Sequence, residues 1–218
     1  MMMGQHPIHT IRLLCLGLLG ITLAACETSD VSDKFVAQSA QDRPQSVVIS
    51  AAMARESGAV DPYLFGQLMV DHLKVCGIAG GFRLNEITYK STNPSMGGLL
   101  SLLLGLDRMY REPWIPVSDQ QALEAVRDYP AQGVLLVTET MSHQLRKAGG
   151  TEDVSREYRI RYVDRRSGET LWGANLSNRG SLGWVLSPEE KAINLSRSIM
   201  EPLARDGILS GCLPRPVE

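Results

Sequence analysis

The sequence has no strong excess of either charge and lacks the short motifs of common catalytic sites. Its 22 Lys and Arg against 24 Asp and Glu give a net charge of −2, so a broad basic surface for nucleic acid is not expected. The patterns HExxH, GxSxG, GxGxxG and the P-loop are absent, and so is any CxxC pair. The sequence therefore predicts a protein that is not an enzyme, with no cofactor, no metal site and no nucleic-acid partner.

No apolar run is long enough to cross a bilayer as a helix. The first run, Leu13–Leu23, follows Arg12 and precedes Ala24 and Ala25. A helix of about 11 residues rises only about 16 Å, against a bilayer core of about 30 Å. A positive charge, a short apolar run and small residues are instead typical of a secretory signal peptide.

The end of this signal resembles the lipobox of bacterial lipoproteins. Leu23-Ala24-Ala25-Cys26 follows the family pattern of Leu, a small residue, Ala or Gly, then Cys. The resemblance covers about the first 26 residues and implies cleavage before Cys26 and lipid on its sulfur and new amino group. The alternative is an ordinary secretory signal with a chance cysteine. Two or three acyl chains would give stable membrane anchoring.

This interpretation divides the chain into three regions. Residues 1–25 are the signal peptide, residues 26–45 are a polar, flexible tether, and residues 46–218 are a periplasmic domain. Glu27 follows the cysteine, whereas Asp at this position marks inner-membrane retention in enterobacterial lipoproteins. We therefore expect sorting to the outer membrane, with the inner membrane as the alternative.

Two cysteines remain after processing and lipidation. Cys76 and Cys212 are an even number in an oxidising compartment, which predicts a disulfide between them. Two separate buried thiols are the alternative. Neither His72 nor His143 has metal-ligand spacing to a cysteine.

Apolar periodicity predicts an α+β fold, a small mixed β-sheet with helices packed on it, in the order β-α-β-α-β-β-β-α. Helices are expected to begin at Asp61-Pro62, at Ser118 with Gln121, and at Ser187-Pro188. The second should reach Pro130, and Pro202 should kink or end the third. The predicted strands are Ser46–Ser50, Phe82–Tyr89, Gly133–Thr138, and a hairpin formed by Tyr158–Tyr162 and Thr170–Leu176.

Two further expectations concern packing and loops. The segment His143–Ser155 is polar and contains Gly149 and Gly150, which predicts a loop between strands. The inward side of the last helix is predicted from residues at helical spacing, and these are Ile193, Leu195, Ile199, Met200 and Leu203.

The predicted hairpin is similar to a piece of known periplasmic lipoproteins. Val163-Asp164, Ser167-Gly168-Glu169 and Leu171-Trp172 resemble the hairpin of the curli-secretion lipoproteins and the penicillin-binding-protein activator lipoproteins. The resemblance covers roughly residues 45–208 and implies the fold and a role in the cell envelope. The Cys76/Cys212 pair, and a long insert that this chain has relative to the curli lipoproteins, do not match features of the curli pore.

One pair of residues could carry acid–base chemistry. His143 follows Glu139 at the end of a predicted strand, but no nucleophile accompanies them. His72 lies beside Asp71 in a predicted helix, where adjacent residues point in different directions. It is therefore interpreted as a solvated or core-edge histidine.

The segment Met96–Leu106 is apolar on every side. The segment is expected to be either a buried helix of the domain or a surface that contacts a membrane or a partner, and Trp114 close by could lie at a membrane interface. The candidate membrane or partner contacts are Leu99, Leu100, Leu102, Leu103, Leu104 and Leu106.

These observations lead to two functional hypotheses. The first is a lipid-anchored, non-catalytic envelope lipoprotein that helps assemble, secrete or regulate a partner complex. The second is a subunit of an oligomeric outer-membrane secretion or transport channel, which would need a closed ring of copies. A cell-wall hydrolase is a weaker third alternative. The expected partners are a membrane and an envelope protein or further copies of this chain.

Overall fold

The structure, a computed structural model, describes residues 28–37, 44–55, 60–91, 107–113, 115–146, 152–179, 186–209 and 212. The strands are β1 (Thr28–Val36), β2 (Ser46–Ala54), β3 (Ala79–Ile87), β4 (Tyr89–Ser91), β5 (Asp107–Pro113), β6 (Gly133–Arg146), β7 (Glu152–Asp164) and β8 (Thr170–Arg179). The helices are α1 (Pro62–Val75), α2 (Asp119–Glu124) and α3 (Pro188–Arg205).

The strands form one mixed sheet. Its main path runs β1-β8-β7-β6-β2-β3, and β5 pairs with β6 and with the short β4. Strand β2 is parallel to both of its neighbours, β3 and β6, whereas the other pairs are antiparallel. The expected α+β class, a mixed sheet with helices packed on it, is confirmed.

Helices cover both faces of the sheet at β2. On one face, Val47 and Ile49 pack in a core cluster with Phe65 of α1 and Leu195 of α3. On the opposite face, Val48 packs with residues of and next to α2. We call the first of these the α1/α3 face. The prediction that Ser46–Ser50 is buried on both sides is confirmed for Val47 to Ser50, each at most 1% exposed.

The helix starts lie where the sequence places them. The Asp61 side chain accepts hydrogen bonds from the backbone N–H groups of Tyr63 and Leu64, and Pro62 opens α1. Ser118 and Ser187 each form a capping box, with Gln121 and Glu190 respectively. Each such cap contributes about 1 kcal/mol by satisfying donors that the first helical turn leaves unpaired.

The N-terminal segment is the main departure from expectation. Residues 26–45 were predicted to be a flexible tether, but Thr28–Val36 forms strand β1 and pairs antiparallel with β8. The prediction is wrong for this stretch because β8 offers an open edge whose backbone groups β1 satisfies. Side chains add to this pairing, since Lys34 contacts Asp206 and Asn175 donates to Asp33.

The predicted loop His143–Ser155 is also wrong at both ends. Strand β6 continues to Arg146 and β7 begins at Glu152, with His143 opposite Ser155. Polar composition does not exclude a strand here, because the ladder needs only backbone N–H and C=O groups.

The last two helices depart from expectation in smaller ways. Helix α2 ends at Glu124 and a turn, not a helix, leads to Pro130. Helix α3 continues three residues past Pro202, so this proline does not end it. Ile193 is 39% exposed and not buried, since it lies one position off the buried stripe that begins at Ala192.

The structure contains the predicted disulfide. Cys76 is the C-cap of α1, Cys212 follows α3, and their Cα atoms are 5.1 Å apart across a sequence separation of 136. Both helices pack on the same face of the sheet, which brings the two cysteines together. The bond therefore ties the two helices of the α1/α3 layer.

Replacing Cys76 with alanine should lower the free energy of unfolding by up to about 4–5 kcal/mol, because a closed loop of this length strongly limits the unfolded chain. Urea unfolding of the oxidised wild type and the variant measures the difference. Reduced wild type serves as the matched control and should unfold like the variant. Equal midpoints for oxidised wild type and variant would contradict the prediction.

Candidate functional site: a buried polar layer at one end of the sheet

The α1/α3 face becomes polar toward one end of the sheet. We define the polar layer as Glu139 and Ser142 of β6, Arg156 of β7 and Asn178 of β8, which are 1%, 3%, 8% and 6% exposed. In the register, Arg156 lies opposite Ser142 on one side and Asn178 on the other. Directly opposed residues point to the same face, so three neighbouring strands contribute to one layer.

A β-bulge brings Glu139 and Ser142 to the same face. These residues are three apart, and regular alternation would place them on opposite faces. The register shifts between Glu139 and Met141, which inserts an extra residue into β6. The bulge thus adds Ser142 to the face that already carries Glu139.

The polar layer contains a buried ion pair. Arg156 Nη1 donates to Glu139 Oε1, and the backbone N–H of Ala54 donates to Glu139 Oε2 at 2.9 Å. The two side chains are only 9% and 1% exposed. Burial by itself lowers the pKa of Arg156, but the Glu139 charge, the nearby Tyr158 and Tyr89 and the hydrogen bond to Glu139 together raise it by more, so the net pKa lies above its ordinary value. Both side chains are therefore held as an ion pair.

Two polar atoms beside this pair have no hydrogen-bond partner among the described residues. They are the Tyr89 hydroxyl and Asn178 Oδ1. Burial, and then the charge of Glu139, raise the pKa of Tyr89 well above its usual range, so the phenol stays protonated. The layer thus offers the amide oxygen of Asn178, and Tyr89 beside it offers a hydroxyl, to a polar group of matching geometry.

The polar layer lies at the carboxyl ends of the parallel strands. Parallel pairing of β2 with β6 ends at Ala52 and Thr138, one residue before Glu139. From here β2 leads to α1 and β3 on one side, whereas β6 continues into the hairpin with β7 on the other. Open sheets with parallel strands bind ligands where such connections diverge. We therefore take the polar layer as the candidate site.

A second polar contact fixes strand β1. We call Lys34, Trp172 and Asp206 the anchor cluster. Lys34 Nζ and Trp172 Nε1 donate to the two carboxylate oxygens of Asp206, each at 2.7 Å. Burial raises the pKa of Asp206, but these hydrogen bonds and the charges of Lys34 and Arg205 together lower it by more, so the net pKa lies below its ordinary value. The cluster joins β1 to the buried Trp172 and to the end of α3.

The sequence-based site predictions have different outcomes. The Cys76–Cys212 disulfide is present. Cys26 and the apolar segment Met96–Leu106 lie outside the described residues. For the Glu139/His143 hypothesis, the structure shows both Glu139 oxygens engaged, by Arg156 and by Ala54.

Among the described ranges, no group of three or more His, Cys, Asp or Glu side chains is placed to hold a metal ion. His72 is partly exposed on α1, and its Nδ1 has no hydrogen-bond partner within the described part of the chain. No described helix is long and apolar enough to cross a membrane.

Comparison with known proteins gives a fold-level likeness only. No family model and no curated protein sequence matches the chain. Among solved structures, the PelC dodecamer of Paraburkholderia phytofirmans is 18% identical, with 81% of this chain and 97% of PelC covered and a TM-score of 0.41. The lipoprotein GNA1162 of Neisseria meningitidis is 16% identical, with coverage of 74% and 99% and a TM-score of 0.38. Likenesses this distant assign no function to this chain.

Removing one member of the buried ion pair should destabilise the protein more than removing both. Glu139→Gln or Arg156→Met should each cost about 3–5 kcal/mol, because an uncompensated polar or charged group stays buried. The double variant Glu139→Leu/Arg156→Met should cost less than either. Urea unfolding measures all three. Losses that add up in the double variant would contradict the prediction. The control is Asp119→Asn, which breaks the partly exposed ion pair with Arg159 and should lower the free energy of unfolding by less than about 1 kcal/mol.

Asp206→Asn should remove a pH-dependent part of the stability. The folded-state pKa of Asp206 is lowered, so its contribution is present above the unfolded value and is lost as pH falls through the folded one. The difference in unfolding free energy between wild type and variant should be largest above about pH 5 and shrink in acid. Asp164, whose pKa is also lowered, titrates in both proteins and cancels. A difference that stays constant down to acid pH would contradict the assignment.

Proposed function

We propose that this chain is an exported lipoprotein, anchored through Cys26, that serves without catalysis as an assembly, secretion or regulatory factor for a partner complex of the cell envelope. The lipobox Leu23-Ala24-Ala25-Cys26 supports the anchor, and Glu27 supports the outer membrane as its destination, with the domain on the periplasmic side.

The Cys76–Cys212 disulfide is the observation that carries the envelope location. Disulfides form and persist in oxidising compartments and are rare in the cytosol. Here the bond joins the ends of two helices that share one core cluster, and Cys212 is only 2% exposed. A bond built into the packing of the domain fits a chain that folds after export.

The geometry around Glu139 supports a non-catalytic role. A general base must lie within hydrogen-bond reach of a substrate proton, and the Glu139 side chain is only 1% exposed. Both Glu139 oxygens accept hydrogen bonds from groups of the protein itself. The carboxylate most suited by position to acid–base work is therefore committed to structure.

An oligomeric channel subunit is the second candidate, and the two end strands of the sheet favour it, since neither has an outer neighbour among the described strands. Strands β1 and β3 are the two ends of the main strand path. Because β1 runs antiparallel to β3, copies placed side by side in one orientation could pair β1 with β3 of the next copy. Such head-to-tail contacts generate rings when the rotation closes. The bulge in β1 between Ser32 and Phe35 limits this pairing to the remainder of the strand.

Mass spectrometry of membrane-extracted protein, without reduction, should find an acylated peptide that begins at Cys26 and a linked Cys76/Cys212 peptide pair. Cys26→Ala should move the protein out of the membrane fraction, while Cys15→Ala, within the signal, is the matched control and should leave it there. An unmodified N-terminus or free thiols would contradict the proposal.

Sedimentation of the detergent-extracted full chain separates the two candidates: a monomer supports the accessory factor and a closed ring supports the channel subunit.

A further inference from the structure

The first residue of β1 lies very close in sequence to the proposed lipid site. Thr28 is two residues after Cys26 and pairs with Arg179 of β8. Arg179 pairs with Ser155, Ser155 with His143, and His143 with Tyr110. The start of β1 therefore belongs to one row of residues that crosses five strands at the same end of the sheet.

Strand β1 is fixed to the domain along its length. Its ladder with β8 extends from Thr28 to Val36, and the Lys34–Asp206 ion pair and the Asn175–Asp33 hydrogen bond add side-chain contacts. Thr28, the first residue of β1, therefore has a defined place at this end of the sheet.

Three strands continue past this row and form what we call the sheet tip, residues 107–109, 144–146 and 152–154. Three residues of strand extend about 10 Å. Two residues of chain from Thr28 to Cys26 reach at most about 7 Å. The sheet tip thus extends at least as far as the residue that would carry the lipid.

We propose that the sheet tip rests against the lipid head groups of the membrane, and that β1 holds the domain in this orientation. The inference depends on lipidation of Cys26, as proposed above. With a lipid-bearing sulfur at most about 7 Å beyond Thr28, a bilayer surface at that level meets the tip before any other described part of the sheet. The head-group layer on each side of the core is several ångströms deep, which accommodates the difference of about 3 Å.

The opposite end of the sheet then faces away from the membrane. That end carries the turn after β7, which includes Arg166 and Gly168, and the starts of β2 and β3. From Thr28 to Val36 the strand covers about 27 Å. The far turn is therefore the part of the described domain placed to meet an envelope partner in the periplasm.

A spin label reports this orientation in the full-length, lipidated protein reconstituted into vesicles of phosphatidylethanolamine and phosphatidylglycerol. Gln144→Cys places the label in the sheet tip, and Arg166→Cys, in the exposed far turn, is the matched control. Cys76 and Cys212 are joined, Cys15 leaves with the proposed signal peptide and Cys26 carries the proposed lipid, so each variant has one free thiol. Power saturation with oxygen, which concentrates in lipid, and with a water-soluble nickel complex measures how close each label lies to the membrane. Mass spectrometry of the same sample establishes the lipid.

The label at position 144 should show lower nickel access and higher oxygen access than the label at position 166. Insertion of a long Gly-Ser linker between Glu27 and Thr28 should abolish that difference while leaving the lipid in place. Equal access at the two positions in the lipidated, linker-free protein would overturn the orientation and leave the proposed function standing. Absence of lipid on Cys26 would overturn both.

Discussion

Burial of β2 on both faces is the constraint from which the layers of this domain follow. Residues Val47 to Ala54 are all buried, so neither face of the strand can be left to solvent. Both neighbours of β2 are parallel to it, and parallel neighbours require crossover connections. Helix α1 makes one crossover on one face, and α2 lies in the other connection on the opposite face. Helix α3 then completes the first face, and the disulfide ties it to α1.

The polar layer begins where this arrangement ends. Beyond Ala52 and Thr138, β6 loses β2 as its partner and acquires β5, so the ladder changes neighbours in the middle of one strand. The N–H of Ala54 lies at this junction, and the Glu139 carboxylate accepts its hydrogen bond. An isolated carboxylate could not be buried there, because desolvation costs several kcal/mol per ion. Arg156 compensates the charge, and it reaches Glu139 as a diagonal neighbour, since Glu139 lies opposite Tyr158 and Arg156 is two residues along β7 on the same face.

The sequence predicts the elements whose signals are local. Apolar runs mark β2 and the first half of β6, and Asp61 and the two capping serines mark the helix starts. Prediction from the sequence fails for elements that are stabilised by contacts with distant parts of the chain. The polar strand β1 depends on pairing with β8, which lies more than 130 residues away in sequence. The polar residue Ser155 joins the ladder between β6 and β7, which needs only its backbone N–H and C=O groups. Glu139 has a partial signal, since it directly follows a buried run, whereas no local pattern indicates that Arg156 is its partner.

A strand in place of a tether changes what the proposed lipid anchor at Cys26 would do for the protein. A flexible 20-residue tether would let the domain move over roughly 25 Å and meet partners at many heights. With β1 joined to β8 and Lys34 bound to Asp206, residues 28–36 belong to the sheet, and only Glu27 separates them in sequence from Cys26. Anchoring raises the effective concentration of a partner in the same membrane only when the geometry lets both contacts form. A domain fixed in this way would therefore favour partners whose binding surface lies at the height of its far end, and would exclude those that need it to tilt.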